Sequence, residues 1–217
     1  MRVSVILSGC GVRDGSEIHE AVLLLLALDQ AGHQVDIFAP DKAQADVVNH
    51  ATGRQMNESR NVLAEAARIA RGRIRPLAEL DVKSCDAVAL PGGMGAVKNL
   101  CDFARNGIEC AVDPTVEAKL RDAHKSGKIL GFMCIAPVIA ARLFGGARVH
   151  VTIGDDDGTA RQVEAAGAVH ERHAASEACI DANLKIVTTP AYMNARSISD
   201  VYASARALVA AMESLKK

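Results

Sequence analysis

One cysteine in this chain stands where a nucleophile belongs. Cys134 lies in Gly131-Phe-Met-Cys-Ile-Ala-Pro137, between an apolar run at 129–133 and a proline. A short apolar run of that kind reads as a central strand of a parallel sheet. Proline, which has no N–H, suits the first turn of a helix. Cys134 is therefore expected on a sharp strand-to-helix turn, its sulfur raised above the sheet edge. Unpaired N–H groups and the helix dipole there favour thiolate over thiol. The competing reading is a structural cysteine, since free Cys is among the most buried residue types.

Two other segments offer partners for such a sulfur. The first runs Ser8-Gly-Cys-Gly-Val-Arg-Asp-Gly-Ser-Glu-Ile-His-Glu20. Ser16 is expected to cap a helix that carries Glu17 and Glu20 on one face, so that at least one carboxyl points back over the strand ends. Acids in a first turn also serve simply as dipole partners. A dinucleotide reading, with Asp41 on a ribose, fails on spacing. After Gly9 and Gly11 the next glycine is Gly15, one residue later than that fingerprint requires. The second segment is Pro91-Gly-Gly-Met-Gly-Ala96, where closely spaced glycines let backbone N–H groups approach a ligand. Opposite a nucleophile elbow it offers one oxyanion donor, and the N–H of Ile135 offers the second. A plain turn is the alternative there.

The elements that must position these residues alternate along the chain. Strand-like runs fall at 3–7, 34–38, 86–90, 129–133 and 148–153. Helical patterns fall at 17–31, 57–71, 115–126, 135–143, 159–166 and 197–215. Such alternation implies a parallel sheet covered by helices on both faces, with the site outside the carboxyl ends of the strands. Gly32, Gly127 and Gly167 sit where a glycine ends a helix. Residues 179–180 and 185–188 read as an antiparallel hairpin appended to that sheet. No repeat, linker or composition shift marks a second unit, so one domain is expected over 1–217.

Composition narrows the function classes. Residues are 49% hydrophobic and 24% charged, with no Trp and only 3% aromatic, so the core is aliphatic. A net charge of −1 gives no footprint for nucleic acid or an anionic membrane. The basic cluster at 68–75 reads as a solvated helix end running into a turn. The eight apolar residues 21–28 are too few to span a bilayer and read as a buried helix. Six cysteines show no CxxC pair and no metal-like clustering. Without a secretory signal they are expected as reduced thiols in the cytoplasm, with neither metal nor cofactor.

Taken in order on successive strands, Glu20, Gly92-Gly93 and Gly131–Pro137 resemble the ThiJ/PfpI superfamily. Longer stretches are similar to the ElbB family within it: Asp14-Gly-Ser-Glu-Ile-His-Glu-Ala21, Phe38-Ala-Pro-Asp-Lys42, Glu65-Ala-Ala-Arg-Ile69 and Lys185-Ile-Val-Thr-Thr-Pro-Ala-Tyr-Met193. The resemblance implies a class I glutamine amidotransferase-like fold: flavodoxin-like, doubly wound and mostly parallel, with helices on both faces. It implies a Cys134 nucleophile beside Glu20, an oxyanion donor at Gly93 supported by Gly92, and a homodimer. It also implies glyoxalase activity on glyoxal, a small dicarbonyl, with deglycation of glyoxal adducts as a related activity. One departure stands out. Many relatives carry a histidine on the segment after the elbow helix, and alignment through Val151-Thr-Ile153 puts Gly154 there. The late His-x-Glu pair of amidotransferases is missing too, because Glu171 directly follows His170 and alanines follow His173. Peptidase and amidotransferase chemistry are thereby disfavoured. His150, on a strand face with Arg148 and Thr152, and His19, about 100° around the helix from Glu20, remain as substitutes. The other function classes are a redox or stress sensor that oxidises Cys134 and a non-catalytic amidotransferase-like scaffold.

Overall fold

In the computed structural model, which describes residues 1–216, the expected alternation takes the following form. β1 (Arg2–Ile6), α1 (Ile18–Gln30) and β2 (Gln34–Ala39) lead into a small ribbon of β3 (Val48–Asn49) and β4 (Arg54–Gln55). Then come α2 (Val62–Ile69), β5 (Arg75–Pro76), β6 (Ala87–Leu90), α3 (Met94–Lys98) and α4 (Phe103–Asn106). α5 (Pro114–Lys125), β7 (Ile129–Met133) and α6 (Pro137–Phe144) follow, then β8 (His150–Val151), α7 (Asp157–Ala165) and β9 (Val169–His170). The chain closes with β10 (Cys179–Asp181), β11 (Ile186–Thr189) and α8 (Ile198–Ser214).

Seven strands form one sheet in the order β10-β11-β7-β6-β1-β2-β5. All neighbours run parallel except β10 and β11, which make the expected hairpin. From β1 the chain moves outward to β2, then returns to place β6 on the other side of β1. Connections therefore diverge between β1 and β6, and that divergence opens a crevice above their carboxyl ends.

Strands buried on both faces still sort their side chains with period two. Val3, Val5, Ala87, Ala89 and Met133 pack with Leu24 and Leu28 of α1 and with Leu208 and Met212 of α8. Ile6, Val88, Leu90, Leu130 and Phe132 pack on the opposite side with Leu120 of α5 and Val138 and Ile139 of α6. Each Val, Leu, Ile, Phe or Met side chain among them, fully buried, stabilises the fold by about 1.5–3 kcal/mol. Half of the apolar run in α1 is likewise buried, at Ala21, Leu24, Ala27 and Leu28. Among the described residues no helix is long and apolar enough to cross a membrane.

Helix ends follow local chemistry. Asp113 caps α5 through the N–H groups of Thr115 and Val116, and Ser197 and Asp200 form a capping box on α8. Gly32, Gly127 and Gly167 adopt positive φ at helix ends as expected. Two expectations fail. Glu17, not Ser16, caps α1, accepting from the Glu20 N–H at 2.7 Å. Ser16 turns inward instead and accepts from the Ser8 N–H at 2.9 Å. The expected strand at 148–153 shrinks to β8, which pairs only with β9 outside the main sheet. Side chains of the hairpin take its donors: the His150 N–H goes to Asp181 and the Thr152 N–H to Thr188 Oγ1.

Candidate active site

Three loops at the carboxyl ends of β1, β6 and β7 converge on Cys134. Its φ of +60° puts a non-glycine residue in the left-handed region, at a cost of about 1–3 kcal/mol. Neighbouring bonds hold it there: the Cys134 N–H donates to Thr189 O at 2.9 Å and the Ala136 N–H to Met133 O at 3.0 Å. The other two loops are stitched to each other. The N–H groups of Glu17, Met94 and Gly95 donate to the carbonyls of Gly92, Val12 and Gly15 at 2.8–3.0 Å. Asn99 closes the seam from beneath, donating to the carbonyls of Ser8 and Asp14.

Glu20 lies in this seam with no exposed surface. Its Oε2 accepts from the Gly92 N–H at 2.9 Å and its Oε1 from the Tyr192 N–H at 3.2 Å. The same carboxyl faces the Cys134 side chain, both of them packed against Gly92. The approach depends on Gly92. A Cβ there would stand 2.6 Å from Cys134 Cβ and 2.8 Å from Glu20 Oε2. Gly93 turns the chain at φ +93°, where a Cβ would lie 2.3 Å from the Glu17 nitrogen. The N–H groups of Gly93 and Ile135 lie near the Cys134 sulfur and favour its charged form.

Electrostatics set the protonation of the pair. Burial raises Glu20 to about 7, the charge of Glu17 adds to this, and the hydrogen bonds from Cys134, Tyr192 and Gly92 oppose it. Cys134 is also raised well above its ordinary value, first by burial and then by the Glu20 carboxylate. The N–H groups of Gly93 and Ile135 pull the other way without prevailing. A resting thiolate, expected from the elbow alone, is thus replaced by a thiol facing a carboxyl that titrates near neutrality. The proton shared between them belongs to the pair.

The structure brings Glu20, Gly92, Gly93, Cys134 and Ile135 together and leaves the histidines aside. Gly154 has φ +75°, and a side chain there would strike Asn194 Oδ1 at 2.3 Å, so this backbone has no room for the missing imidazole. His150 points to Glu171, and His19 donates to or accepts from the Tyr192 hydroxyl at 2.7 Å. Sequence reasoning missed Tyr192 and Thr189, whose backbone groups hold Glu20 and Cys134; no local pattern marks a main-chain contact between distant segments. Two concavities lie elsewhere. One of about 620 Å³ is lined by Leu25, Ile37 and Ile69, and one of about 730 Å³ by Ala27, Ala203 and Val209. Neither touches Cys134, so chemistry rather than size picks out this site.

No family model matches the chain. Among solved structures, a ThiJ/PfpI domain protein from Brachyspira murdochii superposes with a TM-score of 0.60 over 98% of this chain and 96% of its own, at 14% identity. That likeness is one of fold: the chain has the fold seen in ThiJ/PfpI and amidotransferase-like domains. Nearer relatives are more specific. The chain is 48% identical over 202 residues to human glutamine amidotransferase-like class 1 domain-containing protein 3, mitochondrial, covering 88% of this chain and 75% of that protein. It is 45% identical over 218 residues to the rat (Rattus norvegicus) ES1 protein homolog, mitochondrial, covering 96% and 81%. The crystal structure of an isoprenoid biosynthesis protein with an amidotransferase-like domain from Ehrlichia chaffeensis superposes with a TM-score of 0.91, at 34% identity over 99% of both chains. This chain belongs to the ES1 family of glutamine amidotransferase-like class 1 domain proteins. The expected cytoplasmic location does not stand, because the human and rat relatives are named as mitochondrial. Reduced thiols report the redox poise of a compartment and leave its address open.

Proposed function

We propose that this chain is a cofactor-independent glyoxalase of the ElbB type, converting glyoxal to glycolate with Cys134 as nucleophile and Glu20 as acid and base. The observation that carries the reading is a buried carboxyl titrating near 7 beside a sulfur on a strained strand-to-helix turn. A general acid-base works best when its pKa lies near the operating pH. Glu20 takes the thiol proton as the sulfur bonds to one aldehyde carbon, and the carbonyl electron pair moves onto oxygen. The N–H groups of Gly93 and Ile135 hold that oxyanion until Glu20 returns the proton, giving a hemithioacetal. Glu20 next removes the hydrogen of the sulfur-bearing carbon as a proton, and the bond's electron pair forms a double bond between the two carbons as the second carbonyl becomes an enediolate oxygen. Glu20 then delivers that proton to the second carbon, while the hydroxyl on the first passes its own proton to the oxygen on the second and becomes the thioester carbonyl. Water hydrolyses the thioester, releasing glycolate and restoring the thiol. Glyoxal adducts on side chains enter the same sequence.

The assembly belongs to the same proposal. Ile18, Val22 and Leu26 form an exposed stripe at four-residue spacing along α1. A second copy covering that stripe gives a homodimer. The deciding experiment for the chemistry is glyoxal consumption, with glycolate as measured product, by wild type and Cys134→Ser. Wild type should turn over below the usual median kcat of about 10 s⁻¹, because no imidazole assists, and the variant should be inactive. Absent turnover, together with selective oxidation of Cys134 by mild peroxide, would replace the glyoxalase with a redox sensor.

A further inference from the structure

A second cluster of reactive side chains lies at the hairpin edge of the sheet, built from residues that the Cys134 site does not use. Glu171 and His173 follow β9, and Cys179 opens β10. A carboxylate oxygen, an imidazole nitrogen and Sγ from these three lie within 4.8 Å of one another. Cys179 is 1% exposed, whereas Glu171 stands at the surface and gives an ion a way in. His150 Nδ1, from β8, lies 2.5 Å from Glu171 Oε1. Glu177 Oε2 lies 3.7 Å from His173 Nδ1, and Glu171 Oε2 lies 3.3 Å from His173 Nε2.

We propose that Glu171, His173 and Cys179 bind one divalent transition-metal ion of the zinc type, with Glu177 orienting His173 and His150 orienting Glu171. The donor set is the first reason. Sulfur, imidazole and carboxylate together suit borderline-soft Zn²⁺, while calcium and magnesium demand oxygen. The second reason is the histidine. A neutral imidazole donates through one nitrogen only. His173 Nε2–H now donates to Glu171 Oε2 at 3.3 Å; an ion takes that nitrogen's lone pair once the ring proton sits on Nδ1, which faces Glu177 Oε2 at 3.7 Å, and a ring–carboxylate pair of this kind fixes a metal-ligating histidine. The third is reach. Bonds of about 2.0–2.3 Å in a tetrahedral site put ligand atoms roughly 3.4–3.8 Å apart. Closing from the present separations takes side-chain shifts of about 1 Å. On ligation the Cys179 thiol proton leaves to solvent, and the fourth position stays open to water. The ion would tie the 171–179 segment to the hairpin. Asn194 extends the link, because its Nδ2 donates to His173 O at 2.9 Å and it closely follows Tyr192, whose N–H holds Glu20.

The test is metal binding and does not depend on turnover. The full chain, reduced and stripped with chelator, is titrated with Co²⁺ and then with Zn²⁺. One Co²⁺ per chain should bind and give tetrahedral d–d bands with a sulfur-to-cobalt charge-transfer band, and one equivalent of Zn²⁺ should abolish both. Cys179→Ser should lose the charge-transfer band, and Cys134→Ser should keep it. His173→Ala and Glu177→Gln should each weaken binding by at least about 10-fold. Because Cys179 is buried, its variant is read only if circular dichroism shows it folded; otherwise the surface variants His173→Ala and Glu171→Gln decide. The proposal is overturned if wild type gives no cobalt–sulfur band, if Cys134→Ser removes it, or if folded His173→Ala binds as tightly as wild type.

Discussion

Replacing Glu20 by glutamine reads the site through stability as well as rate. The Glu20 carboxyl has an ordinary pKa of 4.5 and titrates near 7 when folded, chiefly because it is buried. Between those values the native protein binds a proton that the unfolded chain has lost, so stability falls as pH rises through the window. The contribution is fully present below pH 4.5 and gone above about 7. At 1.36 kcal/mol per pH unit, the loss amounts to about 3 kcal/mol. Glutamine cannot ionise and lacks this term. It brings a cost of its own, since both carboxyl oxygens accept N–H bonds, from Gly92 and Tyr192, and an amide nitrogen cannot accept either. One buried N–H is left unmet, at about 1–3 kcal/mol, whatever the pH. The groups facing Glu20 are Glu17 on its own helix, Cys134 after β7 and Tyr192 after β11. Cys134 stays a thiol throughout the window. Urea denaturation of both proteins at pH 4.5, 6 and 8 should therefore show the wild-type advantage shrinking by about 3 kcal/mol from the lowest pH to the highest. Titrations elsewhere cancel in the difference. Glyoxal turnover should drop by about 100-fold or more. Parallel stability curves would falsify the burial-driven shift, and with it the idea of a carboxyl poised near neutrality.

Five further substitutions extend the tests. Gly92→Ala pushes a methyl group against Cys134 and Glu20 and should cost about 1–3 kcal/mol and about 100-fold in turnover. Gly146→Ala, with nothing within 4 Å of the added atom, is the control, and equal effects would sink the close-approach argument. Neither His19→Ala nor His150→Ala should abolish activity or remove a limb of the pH–rate curve; a folded but inactive variant would mean that a displaced imidazole does the work. Val22→Arg, in the exposed stripe of α1, should convert a dimer to a monomer in sedimentation at micromolar concentration. A monomeric wild type would refute the assembly.

Much of the scaffold was legible because it rests on local rules. The buried run at Ile129–Met133 followed by Pro137 announces a strand-to-helix turn, and Cys134 indeed takes the left-handed conformation there. The glycines that end helices and the β10–β11 hairpin follow in the same way. Where side chains compete for backbone donors, local rules fail. Thr188 and Asp181 draw off the N–H groups of the 148–153 segment, and Ser8 draws in Ser16. Cysteine usage speaks to the redox poise of a compartment and not to its address, and the cytoplasmic expectation does not stand beside relatives named as mitochondrial.

By itself, the order of residues determined which groups are available and what turns carry them: a cysteine on an elbow, a glutamate at a helix start, glycines where backbones must approach. Only the tertiary structure decided what surrounds them. Tyr192 reaches Glu20 across 172 residues of sequence, and Glu171, His173 and Cys179 meet without any metal-like spacing. The protonation of Cys134 was decided there as well. Helix-end N–H groups, which a sequence can announce, favour the thiolate, but desolvation and the facing carboxylate outweigh them. Hydrogen-bond donors at a turn are set by the few residues that form it. Desolvation is set by every segment that packs over the sulfur, and that sum exists only once the chain has folded.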